Sequence, residues 1–189
     1  TVKKIIIENN SILKEEEIRK NLNLLYKTNF FLINSKNLEK KLNTIELIES
    51  FEIKKIYPHT IKIKIFERKP IAIIQDQNKK KYFTSKGEVI DYFEFKQLSD
   101  LPIVFGDKYN FKIFYNNLKK INFPFNQIKK FYLFESKRWD ITFNDTIIVR
   151  LPTNNYENSL KNFLTLKDQI NFEQYKIFDY RINNQLILK

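Results

Sequence analysis

Residues 51–72, FEIKKIYPHTIKIKIFERKPIA, constrain the fold of this chain more than any other stretch. Ile61, Ile63 and Ile65 alternate with Lys62, Lys64 and Phe66, the period-two pattern of a strand with one buried face. The run before it, with Phe51, Ile53 and Ile56, is less regular but rich in strand formers. Tyr57-Pro58-His59-Thr60 between them reads as a turn, because Pro58 fixes its own φ and has no N–H to give to a ladder. The stretch is therefore read as a β-hairpin. Glu67-Arg68-Lys69-Pro70 then interrupts the apolar pattern, and Pro70 biases Lys69 toward an extended conformation. We expect a domain boundary there, with units 1–69 and 70–189.

The rest of the chain can be placed around that hairpin. Residues 2–8 read as a first strand centred on Ile5, Ile6 and Ile7, and Asn9-Asn10-Ser11 as a turn. A helix is predicted over 13–25, with Ile18, Leu22 and Leu25 at helical spacing and Glu15, Glu16 and Glu17 facing the positive end of its dipole. We read those three carboxylates as solvated helix-start charges and not as a metal site. Residues 28–33 read as a short extended stretch, and Asn34 or Ser35 caps a second helix through about Leu42. The order β-α-α-β-β is that of a small α+β module.

Beyond Pro70 the chain reads as a mixed β domain with two helices. Strands are expected at 71–75, 81–84 and 88–92, a connector at 101–106, a helix at 111–121 and a strand at 128–134. A hairpin follows around Asn144-Asp145, then a helix at 156–170, then 177–181 and 185–188 as two last segments or one bent strand. No internal repeat and no Gly/Ser-rich or Pro-rich linker is present.

Composition bounds the chemistry. The 189 residues, 42% hydrophobic, suffice for one large core or two small ones. No run of 18 apolar residues is present, so no stretch of this sequence spans a membrane as a helix. The chain starts at Thr1 and contains no methionine, and we expect a fragment whose N-terminal part is missing. The lack of cysteine excludes a disulfide framework and thiolate metal sites, and leaves an oxidising compartment open. Two glycines, Gly87 and Gly106, cannot build a phosphate-cradling loop or a dinucleotide fingerprint. A single histidine, His59, sits in the predicted turn and is read as structural; most nucleophile–base pairs and zinc sites are thereby excluded. We expect no catalytic residue, no metal and no cofactor.

The net charge of +12 fits a partner such as nucleic acid or an anionic membrane surface. It also fits a simple compositional bias. Lys, Asn, Ile, Phe and Tyr, all with A/T-rich codons, are abundant, and the lysines fall on most segments without pooling into one block. We take the compositional explanation first.

Seven segments carry a resemblance. YPHTIKIKIFERKPIA, with KEEEIRKNL and TNFFLIN before it, resembles the POTRA domain of the bacterial FtsQ/DivIB cell-division family. YFTSKGEVI, LPIVFG, ESKRWDITFNDTIIVRL and IFDYRINNQLILK resemble the β domain of the same family, with Thr84-Ser85 where an Asp is common and Asn144-Asp145 where Asn-Gly or Asp-Gly is commoner. The resemblance implies a bitopic inner-membrane protein. A cytoplasmic tail and one transmembrane helix would precede Thr1, and this region would be periplasmic at the division septum. It implies a scaffold and not an enzyme, one that recruits the FtsB–FtsL pair and helps control septal peptidoglycan synthesis.

The site that follows from the resemblance is the C-terminal edge strand, expected at Tyr180 to Leu188. An edge strand leaves N–H and C=O groups unpaired, and a partner segment can add to it. The expected partner-binding residues are Tyr180, Arg181, Ile182, Asn184, Leu186 and Leu188, with Lys137 and Arg138 from the neighbouring hairpin. Tyr180, Ile182 and Leu186 would give apolar contact and Arg181 would attract an acidic partner. Asp179 and Arg181, two apart on a strand, share a face and also suit a structural ion pair. Trp139 suits a core anchor as well as a contact residue. Two other readings stay open: a POTRA-type substrate-chaperoning module of an outer-membrane assembly factor, and a basic nucleic-acid-binding domain.

Overall fold

A computed structural model describes residues 1–170, 174–182 and 185–189. The chain forms two compact units, Thr1–Lys69 and Pro70–Lys189.

The first unit runs β1 (Lys4–Glu8), α1 (Glu15–Leu22), α2 (Ser35–Leu42), β2 (Ile48–Ile56), β3 (Thr60–Glu67). β3 lies in the middle of a three-stranded sheet, parallel to β1 and antiparallel to β2. Its alternation is the cause of its place: Ile61, Ile63 and Ile65 are fully buried, opposite Ile5 and Ile7 of β1 in register. Ile18, Leu22, Leu38 and Leu42 from the helices complete this core. α1 is shorter than the spacing predicts. It tightens into a 3-10 turn over Asn23–Lys27. Residues 28–33 are not extended either. Phe30–Leu32 is a 3-10 turn, because the Asn29 side chain accepts the Phe31 N–H and curls the chain.

The end where β3 finishes is tied twice. The carboxylate of Glu67, at the end of β3, accepts from the N–H groups of Ser11, Ile12 and Leu13, the loop that enters α1. Arg68 donates to the carbonyls of Glu46 and Ile48.

The second unit carries β4 (Pro70–Asp76), β5 (Lys79–Thr84), β6 (Val89–Asp91), β7 (Ile103–Phe105) and α3 (Lys108–Lys120). Then come β8 (Ile128–Leu133), β9 (Trp139–Phe143), β10 (Ile147–Arg150), α4 (Tyr156–Leu166), β11 (Ile177–Asp179) and β12 (Ile187–Leu188). Among the described residues these nine strands form one mixed sheet in the order β12-β11-β10-β9-β8-β7-β4-β5-β6. The segment expected as a connector is β7, which pairs in parallel with both β4 and β8. Three residues between Pro102 and Gly106 are too few to show a period, yet Val104 is fully buried. α3 is opened by Asp107, whose carboxylate accepts from the N–H groups of Tyr109 and Asn110.

The helices cover one face of this sheet. Phe111, Phe114 and Leu118 of α3 and Leu160 and Phe163 of α4 form one core with Phe131, Ile141, Val149 and Phe178 of the strands. Trp139 belongs to it, stacked on Phe114 with ring centroids 4.8 Å apart. The residues alternate with a second set on the opposite face.

Candidate functional site

Two features meet at the end of the large sheet: a free edge and a row of charges. The edge is β12. Among the described residues it pairs with β11 alone, antiparallel, Phe178 opposite Leu188 and Asp179 opposite Ile187. Ile177 and Lys189 exchange both backbone hydrogen bonds, at 2.9 and 3.1 Å. Antiparallel pairs alternate, so Ile187 also faces Asp179 with its backbone, and the N–H and C=O of Leu188 point outward. The Leu188 side chain turns to the helix-covered core, with Leu186.

The row lies on the face away from the helices. β9, β10 and β11 place Asp140, Arg150 and Asp179 directly beside one another. Arg138 and Arg181 extend the row at each end, two residues from Asp140 and from Asp179 and so on the same face. Arg138 Nε is 3.2 Å from Asp140 and Arg150 Nη1 is 3.6 Å from Asp179. Asp179 takes most from Arg181: the Nη2 group at 2.6 Å, Nε at 2.8 Å and the backbone N–H at 3.1 Å.

The two carboxylates respond oppositely. The Arg181 hydrogen bonds, against the cost of burial, lower Asp179 to about 2. Burial outweighs Arg138 and Arg150 at Asp140 and pushes it above the ordinary value. Three arginines and two aspartates leave the row with one excess positive charge. Among the described residues no three His, Cys, Asp or Glu side chains come together as a ligand set.

The expected contact residues separate in this geometry. Arg138 and Arg181 are the two ends of one ionic row. Lys137 occupies the exposed turn before β9 with a left-handed φ of 62°. Tyr180 is only 6% exposed: it lies on the helix side of the sheet, its hydroxyl hydrogen-bonded to Asn162 of α4 at 2.9 Å. Burial raises its pKa far above the phenol range. The side chain is thus chiefly a core anchor, with only an edge open toward the cleft beside α4. Ile182 is 53% exposed and, with Leu186 and Gln185, lines a cleft of 460 Å³ against the start of α4. Asn184 lies outside the described residues.

Asp140 and Arg150 were absent from the expected set. The sequence does hold their signal. Arg138-Trp139-Asp140 and Asp179-Tyr180-Arg181 are mirror-image charge pairs at strand spacing, and the hairpin around 144–146 puts residue 150 opposite residue 140.

A β-α-α-β-β unit leading into a mixed sheet with helices on one face defines a POTRA domain followed by a β domain. Comparison with known proteins agrees in both halves. The model of the POTRA domain, FtsQ-type, matches residues 1–68, and that of cell division protein FtsQ/DivIB, C-terminal, matches residues 72–181. The chain belongs to the FtsQ/DivIB family of cell-division proteins. Cell division protein FtsQ of Rickettsia bellii is 28% identical, over 98% of this chain and 70% of the relative. The FtsQ of Rickettsia typhi is 26% identical over 98% and 71%, and that of Agrobacterium fabrum 21% identical over 100% and 61%. Among solved structures, the major extracytoplasmic domain of the trans isomer of DivIB from Geobacillus stearothermophilus aligns with 56% of this chain and 99% of its own. The identity is 14% and the TM-score 0.36.

Proposed function

We propose that this chain is the extracytoplasmic part of a non-enzymatic division scaffold. An inner-membrane helix preceding residue 1 anchors it at the septum. It recruits the FtsB–FtsL pair by strand addition at β12 and thereby helps control septal peptidoglycan synthesis. The observation that carries the reading is the outward N–H and C=O of Leu188 beside the positive end of the ionic row. A partner strand on that edge gains backbone hydrogen bonds, and its alternate side chains meet Ile187 and Arg181 on the open face. Asp179 engages Nε and Nη2 of Arg181, which leaves Nη1 to an acidic partner residue. Long-range attraction from the basic chain speeds the encounter.

The test is titration calorimetry with the periplasmic parts of the chain's own FtsB–FtsL pair. Cutting the chain before Arg181 is a poor variant, because Leu186 and Leu188 pack against the core. Leu188→Pro is better. It deletes an N–H that points away from β11, and proline is tolerated on edge strands. Leu188→Ala loses the same packing and keeps the N–H. We expect Leu188→Pro to weaken binding at least about tenfold more than Leu188→Ala, the worth of a lost hydrogen bond in an excluded interface. Equal binding by the two variants, or no binding by the intact folded chain, overturns strand addition at β12.

A further inference from the structure

The POTRA unit is electrically and chemically polar along its strands. β1 and β3 both start at one end of the sheet, where β2 finishes. The end where β1 and β3 finish mixes both signs: Glu8, Glu67, the acidic first turn of α1, Glu46 and Glu49 near the start of β2, with Lys14, Lys40, Lys41 and Arg68 among them. The opposite end is built by segments 1–4, 24–36 and 54–60, which the backbone joins: the Val2 N–H meets the Thr28 carbonyl, and the Lys3 N–H meets that of His59 at 2.9 Å. Those three segments contain no Asp and no Glu. They contain six lysines, of which Lys3, Lys4, Lys27, Lys36 and Lys54 are exposed.

The same end displays apolar side chains to solvent. Leu24, Phe31, Leu32 and Tyr57 are between 63% and 76% exposed. They are not scattered. Phe31 and Tyr57 each contact the buried Phe30 edge-on, at 5.7 and 5.3 Å between ring centroids, and stand 6.1 Å from each other. Phe30 fixes this platform from below, and Lys55 lies over its ring at 5.8 Å. Aromatic and aliphatic residues at a tip, ringed by lysines and free of carboxylates, match the chemistry of a lipid headgroup boundary. The rings enter the acyl edge and the ammonium groups meet phosphates. A negatively charged lipid surface disfavours carboxylates on every segment that faces it.

We propose that this end of the POTRA unit is a docking surface for an anionic membrane, seated through Phe31, Leu32 and Tyr57 and held by the surrounding lysines. The contact sets the orientation of the unit relative to the bilayer, with Glu8 and Glu67 pointing away from it. It is independent of the β12 edge.

The chain has no cysteine, so single labels can be placed without background. Leu32→Cys at the tip and Thr44→Cys at the opposite end each receive a polarity-sensitive nitrobenzoxadiazole dye. Vesicles of phosphatidylcholine with or without phosphatidylglycerol are added. The Leu32→Cys label shifts to the blue with the anionic vesicles only, and the Thr44→Cys label stays unchanged. In sedimentation with the same vesicles, a Phe31→Ser/Leu32→Ser variant loses partitioning at least about tenfold, while its circular dichroism and thermal midpoint match the parent's. Salt weakens binding of the parent. Equal shifts at both labels, or undiminished partitioning of the double variant, mean that net charge alone adsorbs the chain and overturn the proposal. Absence of vesicle binding also overturns it. Self-association in sedimentation velocity that the double variant abolishes, without vesicle binding, assigns the tip to a second copy of the chain.

Discussion

Asp179 and Asp140 show how one row of charges gives two carboxylates opposite fates. Asp179 accepts from three groups of Arg181, the backbone N–H, Nε and Nη2, and lies well below its ordinary value of 3.8. Its folded value is depressed, so its contribution is present above the unfolded value and is lost as pH falls from about 3.9 through about 2. Asp140 is raised, chiefly by burial, so its ionisation opposes folding. Acidification through its folded value down to the unfolded one adds stability. We expect Asp179→Asn to cost about 2 kcal/mol at neutral pH, the worth of the Asp179 shift. Asp140→Asn costs less, because burial already disfavours the charged form of Asp140. Urea unfolding from pH 6 to 2 checks both: the parent loses stability relative to Asp179→Asn as pH falls through the lower window. Parallel profiles would show that the row does not act through Asp179.

At the scale of elements, the ends decide more than the interiors. The loop entering α1 has three consecutive N–H groups that no helix or strand pairs, and one carboxylate, from Glu67 on β3, takes all three. This contact joins β3 to α1 across more than fifty residues. Glu67→Gln leaves one oxygen and adds an unwanted donor. We expect a loss of about 1–2 kcal/mol, visible in hydrogen exchange as faster opening of residues 11–22 and little change in α3. The short β12 is the opposite case. Two residues cannot stabilise a strand by themselves, so its place rests on Leu186 and Leu188 against the core of the second unit. That leaves its outer backbone available.

The whole molecule has two cores. Ile61, Ile63 and Ile65 centre one, and Phe131, Ile141 and Val149 lie in the other, which draws all its members from beyond residue 70. Ile63→Ala and Phe131→Ala each remove a fully buried side chain, at about 2–5 kcal/mol apiece. Native-state hydrogen exchange should localise each loss: Ile63→Ala accelerates amides within Thr1–Lys69, Phe131→Ala those within Pro70–Lys189. Acceleration spread evenly over the chain in either variant would mean a single cooperative unit.

Much of this was legible in the residues. Alternation at Ile61, Ile63 and Ile65 determined β3, because a one-residue slip would turn three isoleucines to solvent. The strand spacing of Asp179 and Arg181 determined that they share a face, and the hairpin around residues 144–146 determined that Arg150 meets Asp140. Other features needed the tertiary structure. β7 is a strand only because β4 and β8 flank it and supply the backbone partners that three residues lack locally. Arg150 reaches Asp179 only because α4 carries the chain over to a parallel β11, a long-range crossover with no local mark. Tyr180 turns inward because Phe178 and α4 occupy that face, and Asn162 is there to accept its hydroxyl. Local periodicity sets which side chains share a face. Which face is covered, and by what, is settled when distant segments exclude water together.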